Sequence, residues 1–151
     1  MMTIDSSITA DTEQPETVEP PEQQTFCHYG LDVYRFNGEE YALADDDDAA
    51  DEAAAEAIME SLWAFETRFI ARHCPVALDD NCIKALTEMQ GKLCESCSPI
   101  IQALLGDNLD SFIDDAIEAD GRGRFLSSQN GEEHDGQDIY PGWDGKLAYR
   151  I

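Results

Sequence analysis

The chain has 151 residues, 42% of them hydrophobic, and its 33 Asp and Glu residues against nine Lys and Arg produce a net charge of −24. This length predicts one domain, and the hydrophobic share is large enough for a core, which excludes a wholly disordered chain. A charge of this sign repels DNA, RNA and anionic membranes, so it argues against nucleic acid or a membrane as a direct ligand.

The composition also bears on location. No apolar run approaches the roughly 18 residues of a membrane span, and the acidic N-terminus lacks the order of a secretory signal, so we expect a cytoplasmic protein. In a reducing cytosol an odd number of cysteines indicates free thiols or metal ligands and not a disulfide framework. The five are Cys27, Cys74, Cys82, Cys94 and Cys97.

The N-terminal part of the chain predicts a tail followed by a hairpin. Residues 1–25 are rich in Pro and Glu, which predicts a disordered acidic tail, with a single domain over 26–151. Leu31–Phe36 and Glu39–Leu43 have strand composition and flank Asn37-Gly38. Because both turn residues tolerate positive φ, this pattern predicts a β-hairpin.

A long helix is predicted from Asp48 to His73, because apolar residues recur there at helical spacing. Asp45–Asp48 supply an N-cap and negative charge at the positive end of the helix, and Pro75 stops it. The residues on its apolar face are Ala54, Ile58, Leu62, Phe65 and Phe69.

Three shorter helices follow. One begins at Asp79 or Asp80 and runs to Leu93, one spans Ser98 to Gly106, and one spans Asp107 to Ala119 with a C-cap at Gly121. Each carries apolar residues at spacings of three or four.

The C-terminal segments complete the predicted fold. Arg124–Ser127 is a candidate strand, residues 128–145 are rich in turns, and Lys146–Ile151 predicts a closing strand. The expected fold class is α+β, with the N-terminal hairpin and the C-terminal strands forming a small antiparallel sheet packed on three to four helices.

Two stripes of carboxylates are the candidate partner-binding residues. Residues four apart lie on one face of a helix about 6 Å apart, a charge density comparable to the phosphates of one DNA strand. An ordinary solvated face mixes both signs of charge, and these stripes do not. The residues are Asp48, Glu52, Glu56 and Glu60 in the long helix and Asp107, Asp110, Asp114 and Glu118 in the last one.

The sequence predicts neither a cofactor nor a catalytic centre. Cys94 and Cys97 form a CxxC that could join other Cys or His residues in a zinc site, but core cysteines are the commoner explanation. Asp45–Asp48 lacks the glycine and the ligand spacing of a calcium loop. No nucleophile signature accompanies the isolated histidines, so an enzyme is not expected.

Several segments resemble small acidic proteins of tailed bacteriophages. They are Ala119–Ser127 followed by Gly131-Glu132-Glu133, together with Glu39–Leu43 and Ser61–Phe65, and the loop 135–145 is longer than that pattern. The resemblance implies a phage protein acting in the bacterial cytoplasm. Phages use small acidic proteins to occupy the DNA-binding grooves of restriction enzymes and CRISPR effectors, an analogy of context and charge.

The leading hypothesis is therefore a non-enzymatic inhibitor that mimics nucleic-acid charge and binds the basic groove of a host nucleic-acid-binding defence protein. Two alternatives stay open. One is a phage accessory or structural module that binds through apolar surface around Tyr140, Trp143 and Tyr149. The other is a small zinc-stabilised domain. A homodimer, which would extend one charged face, is a further expectation about assembly.

Overall fold

In a computed structural model that describes residues 19–151, five strands and six α-helices form an α+β fold, which confirms the predicted fold class. The strands are β1 (Glu22–His28), β2 (Leu31–Phe36), β3 (Glu39–Ala44), β4 (His134–Asp135) and β5 (Leu147–Arg150). The helices are α1 (Asp47–Glu60), α2 (Thr67–His73), α3 (Asp80–Leu93), α4 (Ser98–Leu105), α5 (Leu109–Asp120) and α6 (Arg122–Leu126).

The strands form a single antiparallel sheet in the order β1-β2-β3-β5-β4. The predicted hairpin is confirmed, with Asn37 at φ 52° and Gly38 at φ 81° in the turn. The closing strand is confirmed as well, and it pairs with β3 in the middle of the sheet. The hairpin and the C-terminus are therefore joined through β3 and β5.

The sheet begins before the predicted start of the domain. Strand β1 starts at Glu22, four residues ahead of position 26, and pairs Glu22 with Arg35 and Gln23 with Tyr34 of β2. It is an edge strand with mostly exposed side chains, so its sequence carries no apolar alternation that would reveal it. Of the tail predicted over residues 1–25, residues 1–18 lie outside the described residues, and residues 22–25 belong to β1 instead.

The predicted long helix is wrong as one element. It ends at Glu60, a short 3₁₀ turn covers Leu62–Ala64, and the chain restarts as α2. The Ser61 hydroxyl donates to the carbonyl of Ala57 at 2.8 Å, and the Glu66 carboxylate caps α2 by accepting from the Phe69 amide at 3.1 Å. The apolar spacing continues across this break, so periodicity alone could not show it.

Gln90 of α3 stabilises the break between the two helices. Its amide nitrogen donates to the carbonyl oxygens of Trp63 at 2.9 Å and Phe65 at 2.8 Å, and its oxygen accepts from the Thr67 hydroxyl at 2.7 Å. Gln90 is only 9% exposed, so water does not readily replace these bonds. It satisfies backbone carbonyls that a continuous helix would have bonded internally.

Replacing Gln90 with alanine is therefore expected to lower the free energy of unfolding by about 2 kcal/mol, because two half-buried carbonyl groups lose their donor. Urea unfolding followed by circular dichroism measures this loss. Gln102→Ala, at an exposed position of α4, is the matched control and should change stability by less than about 0.5 kcal/mol. Equal losses in both variants would show that the bridge does not stabilise the break.

The predicted strand at Arg124–Ser127 is also wrong, because Arg122–Leu126 forms the short helix α6. Gly121, at φ 83°, ends α5 and lets the chain turn directly into α6. Gly123 packs against the backbone of the following loop, where an added Cβ would lie 2.6 Å from the carbonyl carbon of Glu132. The close approach of helix and loop therefore requires glycine at this position.

Side chains pack in three regions. The helices surround an apolar cluster that includes Ile58, Leu62, Ile101, Leu105 and Phe112. Alanines on the inner face of α1 contact alanines of β3, so the helix lies close to the sheet. On the other face of the sheet the C-terminal loop folds back and buries Trp143 among aromatic side chains of β2 and β3.

The remaining helices agree with the sequence predictions to within one or two residues. Asp79 caps α3, since its carboxylate accepts from the Cys82 amide at 2.9 Å, and this bond lowers the pKa of Asp79. Helix α4 ends at Leu105 before Gly106, and α5 begins at Leu109 after a 3₁₀ turn that contains Asp107.

Candidate functional site

Helix α1 presents four carboxylates along one side, which we name the α1 face. The helix starts with Asp46 as N-cap, whose carboxylate accepts from the Ala49 amide at 2.8 Å, and Asp47 and Asp48 lie in its first turn. Buried alanines of α1, among them Ala50, Ala53 and Ala57, pack inward, so the opposite side of the helix faces solvent. All four members of the α1 face, Asp48, Glu52, Glu56 and Glu60, are exposed.

The second predicted stripe lies on and just before α5, and we name it the α5 face. Its inward side is set by Phe112, Ile113 and Ala116, which are buried in the helical core. The outward side carries Asp107, Asp110, Asp114 and Glu118, all exposed. Both stripes are thus held on helices whose opposite sides pack into the core.

No salt bridge reaches either face among residues 19–151. All nine Lys and Arg of the chain lie within those residues, so the sequence holds no further cationic side chain to neutralise the stripes. Like charges four residues apart cost roughly 0.2–0.5 kcal/mol per pair. The α1 face also has no basic residue in the last turn of its helix to offset Glu60.

The cations that do form salt bridges neutralise acids outside both faces. Arg122 is the centre of the largest group: its guanidinium lies 3.0 Å from Asp47, 3.1 Å from Asp51 and 2.8 Å from Glu133. The other bridges made by Lys or Arg join Arg35 to Glu40, Lys146 to Asp45 and Arg150 to Glu39. One flank of α1 therefore has a cationic partner while the α1 face has none in the described residues.

Arg122 ties three separate parts of the chain together. It also donates to the Asp47 carbonyl at 3.2 Å, so it bonds the first turn of α1, and Glu133 belongs to the loop before β4. Burial lowers the pKa of the Arg122 guanidinium, but its hydrogen bonds to Glu133 and Asp47 outweigh burial and raise the pKa above its ordinary value. The sequence interpretation did not select Arg122; an arginine between two glycines in an acid-rich chain was the available signal.

Glu133 also receives a bond from a buried tyrosine. The Tyr149 hydroxyl donates to a Glu133 carboxylate oxygen at 2.5 Å, and the Tyr149 side chain is fully buried beneath α1. Burial raises the pKa of the Tyr149 phenol, and the hydrogen bond and charge of Glu133 raise it further. The folded protein therefore stabilises the neutral phenol of Tyr149 relative to its ionised form.

Stability should consequently fall at high pH. The pKa of Tyr149 in the folded protein lies above its unfolded value of about 10, so the contribution of the neutral phenol is complete below about pH 10 and is lost as pH rises above it. Tyr149→Phe is expected to show a shallower stability loss between about pH 9 and about pH 11.5, measured by urea unfolding at each pH. With Tyr140→Phe as control, an unchanged slope in Tyr149→Phe would rule out this phenol as the source.

The negative charges of the α1 face affect Tyr29 in the turn between β1 and β2. Burial raises the pKa of Tyr29, and the charges of Glu60 and Glu56 raise it further. The Glu56 carboxylate lies close to this turn, since an added Cβ on Gly30 would be 3.9 Å from it. The C-terminal half of the α1 face and the β1–β2 turn are therefore one continuous piece of surface.

A groove of about 690 Å³ lies between the C-terminal ends of α1 and α5. Ala57 and Ser61 line it on the α1 side, and Ala119 and Asp120 line it on the α5 side. Its floor is aromatic, with Phe65, Phe69 and Phe125, and Arg72 and Arg124 also line it. None of the eight carboxylates of the two faces lines this groove, so the surface between α1 and α5 is aromatic and partly cationic there and not a continuation of the acidic faces.

Asp115 of α5 lies outside the α5 face and is paired with His73. The His73 ring contacts Asp115 at 2.7 Å through Nε2 and the Phe69 carbonyl at 2.9 Å through Nδ1. This pair fixes the C-terminal end of α2 to α5. It explains why Asp115 is not available as part of the neighbouring stripe.

Two of the alternatives from the sequence do not fit this geometry. Trp143 is 5% exposed and Tyr149 is 0% exposed, so the predicted apolar surface around Tyr140, Trp143 and Tyr149 is wrong: two of its three members are core residues. In residues 19–151 no three His, Cys, Asp or Glu side chains converge as metal ligands. Cys97 is buried in the helical core while Cys94 is exposed, so the CxxC does not form half of a tetrahedral site there.

Within the described part of the chain, none of the helices has the length and apolar character needed to cross a membrane. Comparisons with protein-family models, with curated proteins and with solved structures found no significant match to the chain. The functional conclusion therefore depends on the geometry of the site.

Proposed function

We propose that this protein is a phage-encoded, non-enzymatic inhibitor that mimics the charge of nucleic acid. Its acidic faces would occupy the basic groove of a host DNA- or RNA-binding defence protein, such as a CRISPR effector or a restriction enzyme, in the bacterial cytoplasm. The carboxylates of the α1 face and the α5 face act as stand-ins for phosphates, and binding excludes the nucleic acid.

The observation that carries this proposal is the distribution of the salt bridges. Arg122 alone bonds three carboxylates on the flank of α1 and its neighbouring loop, while the four acids of the α1 face have no cation within 4.0 Å in the described structure. A face kept only for solubility gains nothing from like charges at regular spacing, which weaken the helix. A face that binds Lys and Arg of a partner requires that its own carboxylates have no cation of this chain bound to them.

The geometry favours the α1 face as the principal contact. It spans most of a 14-residue helix that is packed on the sheet and capped at Asp46, so its carboxylates are held on a rigid element. The α5 face lies on a 12-residue helix across the groove and supplies a second, separate contact. A partner with two basic ridges would fit this arrangement better than one with a single flat surface.

Electrostatic steering gives the proposal a measurable signature. Association with a basic groove should be fast and should weaken steeply as salt rises, because the charges that attract the partner are exposed and screened. An apolar interface would change little with salt.

The test is an affinity pull-down from a bacterial host lysate, washed at low and at high salt and read by mass spectrometry. The expected result is a DNA- or RNA-binding enzyme that high salt releases, whose nucleic-acid binding the purified protein then blocks in competition. A retained partner that resists salt and does not bind nucleic acid would overturn the proposal.

A further inference from the structure

The groove between the C-terminal ends of α1 and α5 has the size and the aromatic floor of a small-molecule site. Its volume of about 690 Å³ lies within the range of about 300–1,000 Å³ that is usual for such sites. Phe65, Phe69 and Phe125 form the floor, and each ring is partly exposed. The Phe65 ring is stacked with both others, at centroid distances of 5.9 Å and 6.0 Å and interplanar angles of 19° and 24°. The three rings are therefore roughly parallel, which suits a flat ligand.

Two arginines that line this groove have no acidic partner. Arg72 and Arg124 form no salt bridge with any of residues 19–151, although the chain contains 33 Asp and Glu. The Arg72 guanidinium lies 5.1 Å from the centre of the Phe69 ring, a cation–π contact that holds it beside the aromatic floor. Guanidinium groups bind phosphate and carboxylate through paired N–H donors. The groove therefore combines an aromatic floor with two cations that are free to bind an anion.

The acids that line the groove are not paired with these arginines. Glu66 is one of them, but its carboxylate already accepts a hydrogen bond from a backbone amide of α2 at 3.1 Å. Asp120, at the end of α5, has no cation within 4.0 Å among residues 19–151. Burial and, after it, the charges of the α1 face raise the pKa of the Tyr29 hydroxyl, which is therefore a neutral hydrogen-bond donor near pH 7. An anion can thus reach the guanidinium groups without breaking an ion pair of the described structure.

We propose that this groove binds a nucleoside monophosphate, with its base stacked on the phenylalanine floor and its phosphate bound by Arg72 and Arg124. A planar base stacks on aromatic side chains, and a single phosphate matches the two guanidinium groups. A longer strand is disfavoured, because the chain carries −24 and the acidic faces repel each further phosphate. The occupant is therefore a free mononucleotide and not a nucleic acid.

The inference does not rest on the proposed inhibition. None of the eight carboxylates of the two faces lines the groove, so the ligand and the partner would contact different side chains. Replacing Glu52, Glu56 and Glu60 together with lysine should leave nucleotide binding at least as tight as in the unmodified protein, because it removes negative charge near the groove. The same variant should lose the target, so the failure of one proposal is distinguishable from the failure of the other.

Isothermal titration calorimetry of the purified full chain with adenosine monophosphate (AMP) in about 0.05 M NaCl tests the proposal. We expect one site with a dissociation constant below about 1 mM. Adenosine lacks the phosphate and inorganic phosphate lacks the base, so each should bind at least tenfold more weakly than AMP. A nuclear Overhauser spectrum of the complex should show contacts between base protons and phenylalanine ring protons, a readout that needs no substitution.

A double variant and a matched control assign the phosphate contact. Arg72→Met with Arg124→Met should weaken AMP binding at least tenfold, and circular dichroism should show an unchanged fold because both side chains are exposed. Arg68→Met with Lys84→Met removes the same charge at two exposed positions outside the groove. This control should change the affinity by less than twofold.

Four outcomes would overturn the proposal. One is the absence of AMP binding up to about 5 mM ligand, and another is equal affinity in the folded Arg72→Met, Arg124→Met variant. The third is equal affinity for adenosine and AMP, which would leave the arginines without a role. The fourth is tighter binding of a competing ligand class: a deoxyadenosine decamer would indicate a nucleic-acid surface, and indole-3-acetate a site for aromatic carboxylates.

Discussion

Replacing Glu52, Glu56 and Glu60 together with lysine is expected to abolish binding to the target and to leave the domain folded. The three side chains are exposed and bond no cation in the described structure, so no native contact is lost. Close charge pairs across such interfaces couple by about 1.5–7 kcal/mol, and reversing three charges should weaken binding by at least about a thousandfold.

The same substitution should raise the stability of the free protein. It replaces the repulsion between positions 48 and 52 with an attraction, although the pairs 52/56 and 56/60 remain like-charged, and it places a cation at position 60 in the last turn, where the helix dipole favours it. We expect the free energy of unfolding to rise by about 0.5–1 kcal/mol, measured by urea unfolding. A gain in stability together with a loss of binding would identify the α1 face as maintained for function and not for folding.

A matched control separates the position of the charges from their number. Glu88→Lys, Asp138→Lys and Asp144→Lys change the net charge by the same amount at exposed positions outside both faces. This triple variant should bind the target with at most a modestly reduced association rate, because only long-range steering is altered. If both triple variants lose binding equally, net charge and not the α1 face determines recognition; if the first still binds, the α1 face is not the contact.

Arg122→Met is expected to destabilise the domain more than any other single change described above. The substitution keeps an unbranched side chain of similar length but leaves Asp47, Asp51 and Glu133 facing one another without a cation. The guanidinium side chain is only 16% exposed, so water replaces it poorly. Removing one partner of such a group costs about 3 kcal/mol, or roughly 10 °C in Tm for a domain of this size.

Thermal unfolding of Arg122→Met beside Arg124→Met measures this cost. Arg124 is two residues away in α6, is exposed, and forms no salt bridge in residues 19–151, so its loss should change Tm by less than about 2 °C. Part of the Arg122→Met loss should return in about 1 M NaCl, since salt screens the repulsion among the three acids. A loss of the same size in both variants would mean that the side-chain stem and not the ion pairs holds α6 to α1.

The elements that depend on local chemistry agree with the sequence prediction. The Asn37-Gly38 turn, the Asp79 cap of α3 and the glycine after α5 each act through the backbone of their own neighbours, so a short window of sequence contains the cause. The side of α1 that carries the carboxylates follows from helical spacing in the same way.

The predictions that were wrong concern elements that depend on contacts with distant residues. The break after Glu60 is stabilised by Gln90, about 30 positions later, and α6 is held by the loop that packs on Gly123. Strand β1 forms because β2 offers it an edge, and its own residues show no apolar alternation. Tyr149 and Trp143 read as surface aromatics, yet the fold-back of the C-terminal loop and the packing of α1 bury them.

The candidate site also has features that the sequence determines and features that depend on distant contacts. The sequence by itself determined the fold class, the net charge of −24 and the two stripes of carboxylates, because composition and helical period are properties of the chain alone. Only the tertiary structure decided which acids stay unneutralised, since a salt bridge depends on which cations the fold brings within reach. Arg122 reaches Asp47 and Asp51 across more than 70 positions of sequence and Glu133 across 11, whereas the fold brings no cation of the described residues to the α1 face.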